Sequence, residues 1–262
     1  MKFGNQEHSG LNHTPVLRKS KFRFYEELND HLPKPWKKKI FVYEFKGRPS
    51  IKKTIQTIGV PHVEVDLIFV NGEPVDFKYQ LQGGEQISVY PQFESLDISP
   101  VVKLRPKPLR NTRFVVDVNL GKLAQKLRLL GFDTLYRNDF KDDENIEISL
   151  KEQRIILTRD KGILKHNAVT HGYFIRNDVS KKQLNEVAER FQLQNLFRPF
   201  SRCSKCNGEL KEVSKANSAT MLPDDTLNHH HEFWKCTGCG QVYWKGSHFK
   251  QILKWLDELK KV

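Results

Sequence analysis

The chain has 262 residues, with 44 Lys and Arg against 31 Asp and Glu, a formal net charge of +13. That length suits about two domains and a small metal module. No apolar run approaches the roughly 20 residues of a membrane-spanning helix, so a transmembrane class is excluded and a soluble, cytoplasmic protein is expected. The charge is uneven: residues 101–198 hold 20 basic and 12 acidic side chains, whereas residues 1–100 hold 14 and 12. A basic field of this kind favours a polyanion, most simply nucleic acid.

Residues 1–20 are polar and aperiodic and read as a disordered tail. Residues 21–95 carry the pattern of a small domain. Phe22, Phe24 and Tyr25 open a strand, and Phe41, Tyr43 and Phe45 alternate with polar residues in a second. Ser50 is a good N-cap for a helix from Ile51 to Ile58, which Gly59 ends. Leu67 to Val70 predicts a strand closed by Asn71-Gly72, and Gln86 to Tyr90 a last strand after Gly83-Gly84. Strand, strand, helix, strand, strand describes a β-grasp, or ubiquitin-like, fold. Because Gly83-Gly84 lies before the final strand, sulfur transfer or conjugation through a terminal Gly-Gly is not expected, and a binding role is. Residues 96–112, with Pro100, Pro106, Pro108, Lys103, Arg105, Lys107 and Arg110, read as a basic linker, either solvated or lying along a nucleic-acid backbone.

From 113 to 198 one arrangement recurs: a short apolar strand, an acid, then a helix. Phe114 to Val116 ends in Asp117, and the helical pattern Leu120, Leu123, Ala124, Leu127, Leu130 follows before Gly131. Thr134 to Tyr136 is a second strand, after which Asp142, Asp143 and Glu144 stand before a helix expected from Asn145 to Gln153. Ile155 to Thr158 runs into Arg159-Asp160, and Tyr173 to Ile175 leads to Asp178 ahead of a helix near Ser180. Such alternation predicts a parallel sheet with crossover helices, whose strand C-terminal ends are where ligands bind. Carboxylates gathered at one sheet edge repel unless a cation lies among them, and an all-oxygen donor set suits Mg²⁺ or Mn²⁺. Each acid also has a plainer reading. Asp142 and Asp143 suit the positive end of a helix dipole, Asp160 and Asp178 suit N-caps or loops, and Asp133 and Asp139 suit turns.

Residues 199–262 contain all four cysteines, as Cys203-x2-Cys206 and Cys236-x2-Cys239 with 29 residues between the pairs. This is the spacing of a zinc ribbon, two knuckles closing a tetrahedral S4 site that leaves no open position for chemistry. Gly208, Gly238 and Gly240 are expected to supply positive-φ turns around the knuckles. Tyr243 and Trp244 suit the ribbon's own packing, and Lys245 and His248 are candidates for RNA contact. His229, His230 and His231 read as a solvated loop tip, and a helix is expected from Phe249 to Leu259.

FVVDVNLGKLAQKLRLLGFDTLYRND, the DDENI segment, RIILTRD and the two cysteine knuckles together resemble the PIN-like ribonuclease domain first named from the C-terminal region of the Mut-seven exonuclease, which carries a zinc ribbon. The segment GRPSIKKTIQTIGVPHVEVDLIFVNGEPVDF resembles the ubiquitin-like domain often fused in front of it. The resemblance implies a three-layer α/β ribonuclease fold with Asp117, Asp143 and Asp160 holding a catalytic Mg²⁺ or Mn²⁺, Asp178 as a fourth acid, and a structural Zn²⁺ on the cysteines. RNA is then the expected substrate, with Lys122, Arg128 and Arg159 on its phosphates, a protein partner on the β-grasp domain and a homodimer both being compatible. The competing reading is a non-catalytic RNA-binding adaptor that uses the ribbon and the basic face.

Overall fold

The computed structural model describes residues 16–91, 112–215, 222 and 224–246. It divides into two compact units, Met1–Leu104 and Arg105–Val262. The linker 96–111, His248 and the segment Phe249 to Leu259 lie outside the described residues.

In the first unit, five strands form one sheet: β1 (Leu17–Phe24), β2 (Phe41–Lys46), β3 (Val65–Val70), β4 (Glu73–Pro74) and β5 (Gln86–Pro91), in the order β2-β1-β5-β3-β4. Only β1 and β5 run parallel, at the centre, and the other neighbours are antiparallel. Helix α1 (Ile51–Ile58) is capped by the Ser50 hydroxyl, which accepts from the Lys53 N–H at 3.3 Å. It buries Ile51, Ile55 and Ile58 in a core with Phe22, Phe24, Ile68, Ile87 and Val89. This is the β-grasp arrangement. Asn71 and Gly72 both take positive φ, +51° and +90°, the backbone that a tight two-residue hairpin between β3 and β4 requires.

One boundary is corrected. Leu17–Ser20, within the stretch read as a disordered tail, belong to β1 and pair with Lys46 through Tyr43 of β2. The polar character of this half-strand hid it: Leu17 and Lys19 face outward, and ladder hydrogen bonds rather than apolar burial hold it.

The second unit has a four-stranded parallel sheet: β6 (Phe114–Val116), β7 (Thr134–Leu135), β8 (Ile155–Thr158) and β9 (Gly172–Phe174), in the order β7-β6-β8-β9. The chain leaves β6, passes through α2 (Gly121–Leu129) to β7 on one side, then returns through α3 (Asp142–Glu152) to β8 on the other. The direction of winding therefore reverses between β6 and β8, which makes their C-terminal ends the topological switch point where α/β sheets bind ligands. Short α4 (Lys161–Lys165) follows β8, and α5 (Ser180–Arg190) packs on α2. Phe114, Val116, Leu123, Leu127, Leu157, Leu184 and Val187 fill the core.

The same unit carries an antiparallel ribbon of β10 (Leu210–Val213), β11 (Phe233–Cys236) and β12 (Val242–Trp244), in that order. Helix α6 (Asp224–His229) packs Leu227 against Phe233 and Val242. His229 thus ends a helix instead of lying in an irregular tip.

Candidate functional site

The four cysteine sulfurs lie within 4.8 Å of one another, with Cys203 to Cys239 at 3.6 Å and Cys206 to Cys236 at 3.4 Å, and no disulfide joins them. A tetrahedral zinc with Zn–S of about 2.3 Å needs sulfurs about 3.8 Å apart, so the quartet fits a structural zinc ion. Burial disfavours the Cys236 thiolate, but the N–H groups of Cys239 and Gly238 point at its sulfur and bring its pKa down to about 7. The Tyr243 hydroxyl sits 3.1 Å from Cys203 Sγ and 3.1 Å from the Ser204 N–H, a further brace on the first knuckle. The glycine expectation is corrected here. Gly240 has a positive φ, but Gly208 and Gly238 do not, and the left-handed position in the first knuckle is taken by Asn207 at φ +69°. Gly208 is needed for space, since a Cβ there would lie 2.9 Å from Cys236 Sγ.

Arg128, expected to bind phosphate, is corrected: it is a buried clamp. Its Nε donates to the Thr134 carbonyl at 2.8 Å, and Nη1 donates to the carbonyls of Ser204 and Lys205, inside the Cys203–Cys206 knuckle, at 3.2 and 3.0 Å. Thiolate charge on Cys203 and Cys206 offsets part of the burial that lowers its pKa. Asp133, read as a turn residue, is the hub beside it. It takes a bidentate contact from Arg154 at 2.8 and 3.2 Å, one bond from Asn207 Nδ2 at 2.8 Å, and the charge of Arg202 at 3.6 Å. Burial alone would raise the Asp133 pKa, but these donors and cations win and hold it below the ordinary carboxylate range.

At the opposite edge of the parallel sheet stand Asp117 and Asp160, at the ends of β6 and β8. Asp117, at the end of β6, is buried; its Oδ1 accepts from the Val118 N–H at 2.7 Å and its Oδ2 from the Thr158 hydroxyl at 2.8 Å. The same Thr158 oxygen accepts from the Asp160 N–H at 2.8 Å, so one hydroxyl at the end of β8 ties the two acidic loops together. Asp160 caps α4 by accepting from the Gly162 N–H at 2.6 Å. Thr158 escaped the sequence reasoning, although its place inside Leu-Thr-Arg-Asp was a usable signal. Tyr136 braces the same loop: its hydroxyl donates to the Val118 carbonyl at 3.1 Å and its ring lies where a Cβ on Gly121 would be.

The third acid is also revised. Helix α3 begins at Asp142, three residues before the expected start, and its sheet-facing residues are Asn145, Ile146 and Ser149. Asp142 stands three residues before Asn145 and seven before Ser149, on that face, whereas Asp143 is rotated about 100° away. Desolvation, then the charges of Asp160, Asp117 and Asp143, hold the Asp142 carboxyl above its ordinary range. Asp142 is thus an α3 acid that feels both strand-end acids, beside Asp143 in the same first turn. Asp143 is exposed. Asp178 is largely exposed and pairs with Arg159, which also donates to the Asn177 carbonyl at 2.8 Å, so these two candidates engage each other. Lys122 is exposed in the first turn of α2. Lys245 pairs with Glu232 at 2.5 Å and lies over the Trp234 ring. Among the described residues the cysteines are the one group of three or more metal-type donors that closes within 4.8 Å; the carboxylates are more widely spread.

A family description, the Mut7-C RNAse domain, matches residues 112–256, more than half of the chain. The chain belongs to that family. The Mut7-C ubiquitin domain matches residues 18–97, in register with the β-grasp unit. No curated protein and no solved structure matches. Membership in the Mut7-C RNAse domain family supports a ribonuclease-like function for the second unit, and no described helix is long and apolar enough to cross a membrane.

Proposed function

We propose that the chain hydrolyses RNA phosphodiester bonds at the β6–β8 switch point, in the cytoplasm, using Asp117, Asp142 and Asp160. The observation that carries the reading is the placing of three acids from separate elements at one sheet edge: Thr158 ties Asp117 to the Asp160 loop, and desolvation, then the charges of Asp160 and Asp117, raise Asp142, with no basic side chain among the causes. Such uncompensated like charge fits a divalent, oxygen-loving cation. Bound there, Mg²⁺ or Mn²⁺ would supply an activated water and neutralise charge building on the scissile phosphate.

The protein's own groups prepare that place. Val118 N–H and Thr158 fix Asp117, and Thr158 with Gly162 N–H fixes Asp160. Lys122, exposed just after the Asp117 loop, is the candidate for holding a neighbouring phosphate. The zinc on the four cysteines is structural. The β-grasp unit is assigned a binding role, with a protein as its partner.

The test is cleavage of end-labelled RNA by the zinc-loaded chain with Mn²⁺ supplied or withheld, beside the Asp117→Asn/Asp160→Asn double variant. Mn²⁺-dependent cleavage that the variant lacks is expected. RNA binding without cleavage in either protein would transfer the assignment to the adaptor reading.

A further inference from the structure

Asn145 is completely buried on the sheet-facing side of α3, and among the described residues neither its amide oxygen nor its amide nitrogen has a hydrogen-bond partner. Its backbone N–H is satisfied in the ordinary helical way by the Lys141 carbonyl at 3.0 Å, so the anomaly belongs to the side chain alone. A buried, unpaired amide is costly, and in a folded protein it calls for a specific reason: an ordered water, an ion or a functional role. The surrounding positions do not supply one from the packing. Ile146 beside it is apolar, and Ser149 one turn further on spends its hydroxyl on the Arg154 carbonyl at 2.6 Å.

Position tells where the amide is directed. Helical side chains lean toward the N-terminus of their helix and cover the turn before their own Cα. Asn145 therefore leans toward the first turn of α3, where Asp142 stands on the same face. α3 packs on β6 and β8, the two strands that end in those acids. An unsatisfied donor and acceptor thus lie in the helix that packs on the two strands ending in Asp117 and Asp160.

We propose that Asn145 is a positioning residue of the carboxylate site, its amide oxygen accepting a hydrogen bond from a water that belongs to the hydration shell of a divalent cation. The inference rests on the reading of Asp117, Asp142 and Asp160 as a cation site and adds to it a residue that touches the ion only through water. Mg²⁺ and Mn²⁺ retain waters when carboxylates bind them, and such waters need acceptors around them. The amide is then unsatisfied in the ion-free protein and satisfied in the loaded one. The two states should respond in opposite directions when it is replaced.

The experiment is thermal unfolding of the full, zinc-loaded chain as Mn²⁺ is titrated, for the wild type, Asn145→Leu, Asn145→Ala and Asp142→Asn. Leucine fills a similar volume without a polar atom. The expected result is that Asn145→Leu melts higher than the wild type without Mn²⁺, yet needs at least tenfold more Mn²⁺ for its half-maximal shift. Asn145→Ala, which leaves space rather than filling it, should raise the Mn²⁺ midpoint likewise. A lower melting temperature for Asn145→Leu without Mn²⁺, together with an unchanged Mn²⁺ midpoint, would assign the amide to ordinary packing and overturn the proposal. If the wild type shows no Mn²⁺ shift that Asp142→Asn abolishes, the carboxylate reading itself falls, and the proposal with it.

Discussion

The two edges of the parallel sheet in the second unit treat acidic residues in opposite ways. At the N-terminal edge, Asp133 lies among Arg154, Arg202 and Asn207, and its pKa is held down. At the C-terminal edge, Asp142 lies among Asp160, Asp117 and Asp143, and its pKa is held up. The first arrangement is complete, since every charge has a counter-charge and the network joins the α/β body to the zinc knuckle. The second shows no such pairing for Asp142, and among the described residues the Asn145 amide on the same helix has no hydrogen-bond partner. Sheets of this topology bind at the C-terminal edge. The difference teaches that polar satisfaction separates an edge built for cohesion from the edge proposed to take a ligand.

The largest break in that contrast should come from zinc removal. Structural zinc contributes on the order of 10 kcal/mol to small ribbons, and Arg128 extends the knuckle into the body. A Cys236→Ser variant should therefore lower the melting temperature of the α/β body as well as unfold the ribbon, as amide exchange in β6 and α2 would register. Next is Arg128→Met, which strands the carbonyls of Thr134, Ser204 and Lys205 and should cost about 3 kcal/mol in denaturant unfolding, while leaving RNA affinity of the folded protein unchanged. A phosphate-binding Arg128 would give the reverse pattern.

At the other edge, Asp142→Asn should reduce RNA cleavage by about a hundredfold, roughly 2.7 kcal/mol of barrier, whereas Asp143→Asn should stay within about threefold. Equal losses would undo the distinction drawn from helix phase. Thr158→Val keeps shape but deletes the hydroxyl shared by Asp117 and Asp160; about 1–2 kcal/mol of stability should go, with a weaker Mn²⁺ response. The smallest effect concerns acid. Because the folded-state pKa of Asp133 is depressed, its contribution is fully present above the ordinary carboxylate pKa of about 3.9 and is lost as pH falls through the lower folded value. Asp133→Asn should accordingly be less stable than the wild type at neutral pH, with the gap narrowing in acid urea titrations.

Much of this was legible in the sequence. The helix Ile51–Ile58 between Ser50 and Gly59, the strand Ile155–Thr158, and the paired knuckles follow from local rules of capping, β-propensity and ligand spacing, and the structure has them at those residues. The charged residues were less legible. Arg128 and Arg159 look alike in a basic segment, yet one is buried against carbonyls 76 and 77 residues away and the other pairs at the surface. Asp133 resembled any acid after a glycine until Asn207 and Arg202 arrived from the ribbon.

What the sequence by itself determined, then, is the main strands and helices of the β-grasp and α/β segments, the acid that follows each parallel strand and the zinc-binding spacing, because these depend on neighbours within a few residues. The tertiary structure alone decided that Asp142 feels the charges of Asp160 and Asp117, that Thr158 holds Asp117 and Asp160 together, and that Arg128 is a clamp. Helix phase, sheet order and long-range hydrogen bonds set those roles, and a charged side chain carries no local mark of whether its partner is protein, water or ligand.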